Sequence, residues 1–174
     1  KKISSAIAYA HREGVIHRDL KPGNILIDQN NEPRITDFGL AHNPNMNQQL
    51  TTDGQILGTP AYMPPEQLKG EAMDQRADIY AWGVTAYELL THLRPFGGCT
   101  PEETRRNQLD ESYFVKPVHQ HNPQVPIALS QLIQRCFAHQ PEARFPSMTI
   151  LNAQLHNVLG VQHHPVVPTS LAVA

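Results

Sequence analysis

Cysteine, tryptophan and long apolar runs are what this sequence has least of. It holds two cysteines, Cys99 and Cys136, far apart and outside any C-x-x-C spacing. They read as reduced core or surface thiols in a reducing, cytoplasmic compartment rather than as a disulfide. No run of about eighteen apolar residues occurs, so no membrane-spanning helix is expected. The opening KKISSAIAYAHREG carries two lysines, but its apolar run is too short for a signal peptide. It reads as the end of an amphipathic helix already under way. Charge of one sign is scarce too: a net charge of −2 with 17% charged residues gives no basic excess for nucleic acid. The ten histidines are scattered, and only His119/His121 and His163/His164 lie close together. Without an H-x-x-x-H or Cys/His cluster they read as structural or solvated, not as metal ligands.

What is present describes one globular domain. At 174 residues with 40% hydrophobic content the chain can bury a core. Residues 1–13 have Ile3, Ile7 and Ala10 on one helical stripe, stopped at Gly14. Val15-Ile16 and Ile25-Leu26-Ile27 are short runs of strand type. DQNNEP at 28–33 is turn chemistry, after which Arg34-Ile35-Thr36 resumes an extended pattern. Residues 41–59 are polar and aperiodic, a long loop of the kind that is functional or disordered. RADIYAWGVTAYELLTH at 76–92 is apolar nearly all the way round, which predicts a central buried helix. Further helices are expected at 101–109, 127–139 and 147–159, each started by proline or a hydroxyl residue. The end of the chain, 161–174, has prolines and no period, and reads as a flexible tail or linker. The predicted fold class is α+β, mostly α: a short β-hairpin followed by a helical bundle over 1–160.

The chemistry is concentrated in GVIHRDLKPGNILI, which begins at Gly14 and packs His17, Arg18, Asp19, Lys21 and Asn24 between two apolar runs. If 25–27 and 34–36 pair antiparallel with Ile27 opposite Arg34, then Asn24 falls opposite Asp37, about 5 Å away between Cα atoms. An amide oxygen and a carboxylate so placed could share a hard divalent cation such as Mg²⁺. Asp19 and Lys21 lie on the loop entering the same end of the hairpin. A carboxylate, an ammonium and a metal site together are equipment for handling a phosphoryl group.

HRDLKPGN at 17–24, DFG at 37–39 and GTPAYMPPE at 58–66 occur in that order with compatible spacing. The chain thereby resembles eukaryotic-type serine/threonine protein kinases, from residue 1 to about 160. Each motif is short, but the ordered set is specific. The resemblance implies the kinase large lobe as fold, ATP and Mg²⁺ as cofactors, and protein Ser/Thr hydroxyls as acceptors. By the same resemblance Asp19 orients or accepts the substrate proton, and Lys21 offsets charge on the γ-phosphate. Asn24 and Asp37 hold Mg²⁺, and Leu26 lies under the adenine. His17 and Phe38 pack in the internal column of side chains that distinguishes active from inactive states. Thr59 helps to seat the acceptor residue. Asp78, which could simply cap its helix, is expected to anchor the catalytic-loop backbone. Glu66 and Arg144 match a buried ion pair that ties the end of the activation loop to the helical lobe. Arg18 beside Asp19 implies control by phosphorylation of that loop, with Thr51 and Thr52 as the candidates.

Lys21 and Gly58-Thr59-Pro60 fit serine/threonine rather than tyrosine kinases, and PPEQ with DIYAWGVTAYELL resembles bacterial members. Pro64 stands where the usual A-P-E motif has alanine. Gly23 is uncharged, so no preference for arginine upstream of the target is implied. Two alternatives compete. One is a small-molecule phosphotransferase, but that type generally lacks the Arg18/Lys21 pair and the DFG. The other is a non-catalytic kinase-like module, against which the intact Asp19, Lys21, Asn24 and Asp37 argue. Kinases of this type have two lobes, and the small one carries a Gly-rich loop and a strand lysine. No G-x-G-x-x-G and no V-A-I-K precede Gly14. The expectation is therefore a large lobe without its small-lobe partner, doubtful in activity by itself.

Overall fold

Helix α3 (Arg76–Thr91) is the axis around which the other elements are arranged. Ten of its sixteen residues are buried, so it is covered on every side, as its all-round apolar sequence requires. A computed structural model describes residues 1–38 and 60–160 of the protein. The expected loop at 41–59 and tail at 161–174 lie outside those residues. In chain order the elements are α1 (Lys2–Arg12), β1 (Ile25–Ile27), β2 (Pro33–Ile35), α2 (Pro65–Lys69), α3, α4 (Pro101–Leu109), α5 (Val118–His121), α6 (Ile127–Cys136) and α7 (Met148–Val158). Single turns of 3₁₀ helix occupy Pro22–Asn24, Pro60–Tyr62 and Pro141–Ala143. Among the described residues the only sheet is the two-stranded antiparallel hairpin, so the class is α+β and mostly helical.

The local chemistry explains the boundaries. Helix α1 ends at Gly14, whose φ of +76° is open to glycine without strain. Beyond it the Val15 amide folds back onto the Ala10 carbonyl at 2.9 Å, and Val15 and Ile16 form no strand. Helices α4 and α7 start on hydroxyl caps, Thr100 accepting from the Glu103 amide and Ser147 from Ile150. Helix α6 stops at Cys136, three residues short of expectation, and α2 and α5 are short helices that periodicity does not reveal.

The core gathers Ile7 of α1, Ile79 and Val84 of α3, Ile133 of α6, and Met148 and Leu151 of α7, all buried. Helix α1 is also stapled to α7 by polar contacts: the Ser4 hydroxyl donates to Asn152 Oδ1 at 2.9 Å, and Asn152 Nδ2 donates to Ser5 at 3.1 Å. Cys99 is exposed and Cys136 buried, and both are free. Burial pushes the Cys136 thiol far up from its ordinary pKa, which leaves it inert as a nucleophile.

The hairpin corrects the expected register by one residue. Ile25 pairs with Ile35, Leu26 with Arg34 and Ile27 with Pro33, so Asn24 lies opposite Thr36 and not opposite Asp37. The reason is a shorter loop than the six polar residues suggest. The Asp28 amide bonds the Glu32 carbonyl at 2.9 Å, the Asn31 amide bonds the Asp28 carbonyl at 2.9 Å, and Asn31 has φ +59°. That is a type I turn closed by a left-handed residue. The Asp28 carboxylate caps it, accepting from the amides of Asn30 and Glu32 at 2.8 and 2.9 Å. The Glu32 amide above all, with the Arg34 guanidinium helping, holds the Asp28 carboxyl below its usual range against some desolvation. This register also leaves Pro33 in a non-hydrogen-bonded pair, where its missing N–H costs nothing.

Helices α3 and α6 approach so closely at Gly83 that a Cβ there would sit 2.6 Å from Cys136 Cβ and 3.3 Å from the Ile133 carbonyl. Both neighbours belong to a packed helix and cannot swing aside. The substitution Gly83→Ala is expected to destabilise the fold by about 1–3 kcal/mol despite alanine's better helix propensity. The midpoint of urea unfolding measures it.

Candidate active site

The first turn of α3 carries a carboxylate with no exposure, Asp78, and the polar loop is built on it. Asp78 Oδ2 accepts the His17 amide at 2.8 Å, and Oδ1 accepts the Arg18 amide at 2.8 Å. His11, from the last turn of α1, places Nε2 2.7 Å from Oδ2. Each donor is an N–H that burial would otherwise leave unsatisfied. Arg18 is held at φ +68°, a conformation that a non-glycine residue keeps only when its surroundings over-determine it.

The His17 ring extends this frame to the hairpin. Its Nδ1 accepts from the Asp19 amide at 3.3 Å, so the proton resides on Nε2, which donates to the Thr36 carbonyl at 2.9 Å. Phe38 packs on the same ring with centroids 4.7 Å apart. The turn of 3₁₀ helix at Pro22–Asn24 then swings Asn24 back over Asp19. Asn24 Nδ2 donates to the Asp19 carbonyl at 2.8 Å and to Asp19 Oδ2 at 3.1 Å. Lys21 Nζ reaches the same Oδ2 at 2.7 Å. One carboxylate oxygen of Asp19 is thus pinned by an ammonium and an amide. The other takes no hydrogen bond from the described residues, and the side chain is 45% exposed.

Because the Asn24 amide nitrogen faces Asp19, its oxygen is turned away from those contacts. Asp37 follows Thr36, whose amide bonds the Asn24 carbonyl at 3.0 Å. It too has a left-handed backbone, φ +61°, and it is exposed, with Oδ2 accepting from the Thr36 hydroxyl at 3.2 Å. An amide oxygen and a carboxylate are hard donors of the kind Mg²⁺ takes. Among the described residues no three His, Cys, Asp or Glu side chains group to hold a metal by themselves. Leu26 and Ile27, 55% and 62% exposed, give the outer hairpin an apolar surface. Thr51, Thr52 and Thr59 lie outside the described residues.

A second frame holds the segment 60–66. Arg144 uses all its donors: Nη1 and Nη2 each reach a Glu66 carboxylate oxygen at 2.7 Å, Nε reaches the Ala138 carbonyl at 2.9 Å, and the remaining hydrogens reach the carbonyls of Arg76 and His139 at 3.2 and 3.1 Å. Its guanidinium lies over the Tyr80 ring, 5.0 Å from the centroid. Nearby, the Tyr62 hydroxyl donates to Glu88 at 2.5 Å. Burial, with Glu88 beside it, pushes that phenol up to about 12.

Two buried groups carry weight that sequence reasoning missed. His11 sits one helical turn after Ile7, so its place on the buried stripe of α1 was a signal. Gln108 of α4, 1% exposed, donates from one amide to the carbonyls of Pro60, Ala61 and Met63 at 3.0, 3.1 and 3.1 Å. No hydrophobic period could have disclosed it.

A loop of this make-up, tied to a buried helix and to a DFG hairpin, agrees with comparison to known proteins. The model of the protein kinase domain matches residues 1–156. The chain belongs to the protein kinase family. It is 34% identical to a probable serine/threonine-protein kinase of Clostridium acetobutylicum, over 90% of this chain and 23% of that protein. It is 38% identical to the DNA damage-responsive serine/threonine-protein kinase RqkA of Deinococcus radiodurans, over 81% and 21%. It is 39% identical to the serine/threonine-protein kinase Pkn1 of Myxococcus xanthus, over 91% and 23%. The chain spans about a quarter of the length of these relatives. Among the described residues no helix is long and apolar enough to cross a membrane.

The Glu66–Arg144 pair makes a direct test of the second frame. Glu66→Gln leaves the Arg144 charge buried without its counter-charge, and a loss of about 3–5 kcal/mol in unfolding free energy is expected. Chemical denaturation measures it, and a loss comparable to that of an exposed pair would be inconsistent with this role.

Proposed function

We propose that this domain transfers the γ-phosphoryl group of ATP to serine or threonine hydroxyls of protein substrates. The observation that carries the reading is the Asp19 carboxylate, pinned at one oxygen by Lys21 and Asn24, with the other taking no hydrogen bond from the described residues. The acceptor hydroxyl hydrogen-bonds to that second oxygen and is aimed by it. As the oxygen–phosphorus bond forms and the bond to the ADP oxygen breaks, Asp19 takes the proton. The transition state is loose, so orientation matters more than basicity. Lys21, already beside Asp19, offsets charge on the transferred group. Asn24 and Asp37 would hold Mg²⁺, which when bound neutralises phosphate charge. Leu26, on the exposed hairpin face, supplies a floor for the adenine. Thr59, next to Pro60, would seat the acceptor, and Thr51 and Thr52 are the proposed phosphorylation sites through which Arg18 orders the loop. The relatives named as serine/threonine kinases support this class of acceptor.

In the intact protein, Asp19→Asn is expected to lower kcat by about 10²–10⁴-fold with little change in the KM for ATP. Asp37→Asn is expected to abolish Mg²⁺-dependent turnover while leaving the melting temperature near wild type. Peptide phosphorylation across a Mg²⁺ titration checks both. Undiminished turnover by the Asp37 variant would refute the metal assignment.

The 174 residues contain no G-x-G-x-x-G segment and no V-A-I-K lysine, parts that cover and grip the phosphates in this family. Positioning supplies most of the rate in phosphoryl transfer. The polypeptide 1–174 by itself is therefore expected to phosphorylate no peptide above background. A radiolabel transfer assay with an Asp19→Asn control decides the matter, and turnover lost only in the control would overturn the expectation.

A further inference from the structure

Helix α4 is bound to the rest of the fold in an unusual way. Its sequence, PEETRRNQL, is almost wholly polar, and the residues it buries are Thr104 and Gln108, one turn apart. A helix with no apolar stripe has little hydrophobic reason to dock. Beneath its C-terminal end lies an open hollow of about 260 Å³, bordered by Pro65, Tyr80, Gln108, Tyr113, Phe137 and His139. Packing there is incomplete, and hydrogen bonds make the attachment. Arg105 Nη2 reaches the Leu68 carbonyl of α2 at 3.3 Å, and Gln108 gathers the carbonyls of Pro60, Ala61 and Met63 on a single amide group.

Three carbonyls converging on one NH₂ fix the orientation of the side chain, since its oxygen could not face them. They also fix the segment. Among the described residues its other ties include the Met63 amide on the Pro60 carbonyl at 3.0 Å and the Tyr62 side-chain hydroxyl on Glu88. Removing the amide would leave the buried Ala61 carbonyl and the part-buried Met63 carbonyl without the donor they now share.

We propose that Gln108 is a positioning residue for protein-substrate recognition, setting from α4 the backbone of residues 60–63 against which the acceptor chain lies. This rests on the proposed role of Thr59, next to Pro60, in seating the acceptor. Gln108 itself touches neither the acceptor nor the phosphates, and it acts through the carbonyls of Pro60, Ala61 and Met63 that it holds. Loss of the amide therefore loosens the platform for the protein substrate and leaves the loop around Asp19, which hangs from α3, as it was.

The test uses the intact protein with Gln108→Met, which keeps length and removes the donors, and Gln108→Lys, which restores donors. The methionine variant is expected to raise the KM for a Ser/Thr peptide about tenfold, with kcat and the KM for ATP within about twofold of wild type. The lysine variant is expected to recover part of the loss. Amide exchange at Met63 should quicken in the methionine variant. Peptide and ATP parameters falling together, or a lowered melting temperature with unchanged peptide KM, would overturn the proposal. A wild-type protein inert toward every Ser/Thr peptide would refute the kinase reading instead. The exchange measurement still judges the anchor then, and unchanged exchange at Met63 overturns it.

Discussion

A single buried carboxylate, Asp78, is the constraint on which the candidate site depends. A fully buried charge is tolerable only when donors replace the lost water, and here they are two backbone amides and an imidazole. The exchange is reciprocal. The carboxylate is satisfied when His17 and Arg18 present their amides in this conformation, and it in turn holds Arg18 in its left-handed backbone. From that fixed point the His17 ring reaches Thr36, the Asp19 amide reaches His17, and Lys21 and Asn24 close on Asp19. The side chain proposed to do chemistry is itself 45% exposed, yet the groups that aim it trace back to a helix buried on most of its residues.

Arg144 plays the corresponding part for the segment 60–66. A guanidinium with every N–H engaged, two of them on Glu66, can be buried because no donor is left over. Two of its ties are to α3, through the Arg76 carbonyl and the Tyr80 ring. The loop of residues 17–24 and the segment 60–66 are distant in sequence, but both are referred to the first two turns of one helix. That common reference fixes the two segments relative to each other.

The parts legible in the sequence were those with a single strong signal. RADIYAWGVTAYELLTH could only be a buried helix, since apolar residues on every face exclude a surface position. Thr100-Pro101 and Ser147 announced their helices by capping chemistry. The hairpin register failed because DQNNEP was counted as six loop residues. The Asp28 side chain in fact caps the turn from within, so the ladder starts earlier and Asn24 meets Thr36. His11 and Gln108 went unseen for a related reason: their value lies in partners far along the chain, and pattern rules score a polar residue in a helix as a solvent face.

Polar burial in this chain is sparse and concentrated. Among the described residues the buried charged groups are Asp78, Glu66 and Arg144; Asp78 holds the amides of His17 and Arg18, and Arg144, paired with Glu66, holds the carbonyls of Arg76, Ala138 and His139. Irregular backbone has no ladder of its own to satisfy its N–H and C=O groups, so buried side chains must supply the partners. Apolar packing of α1, α3, α6 and α7 could stabilise a bundle in several slightly different arrangements. It cannot set the φ of Arg18 or gather the carbonyls of 60–63. The bundle supplies stability, and the few buried polar groups convert it into a defined geometry at one face.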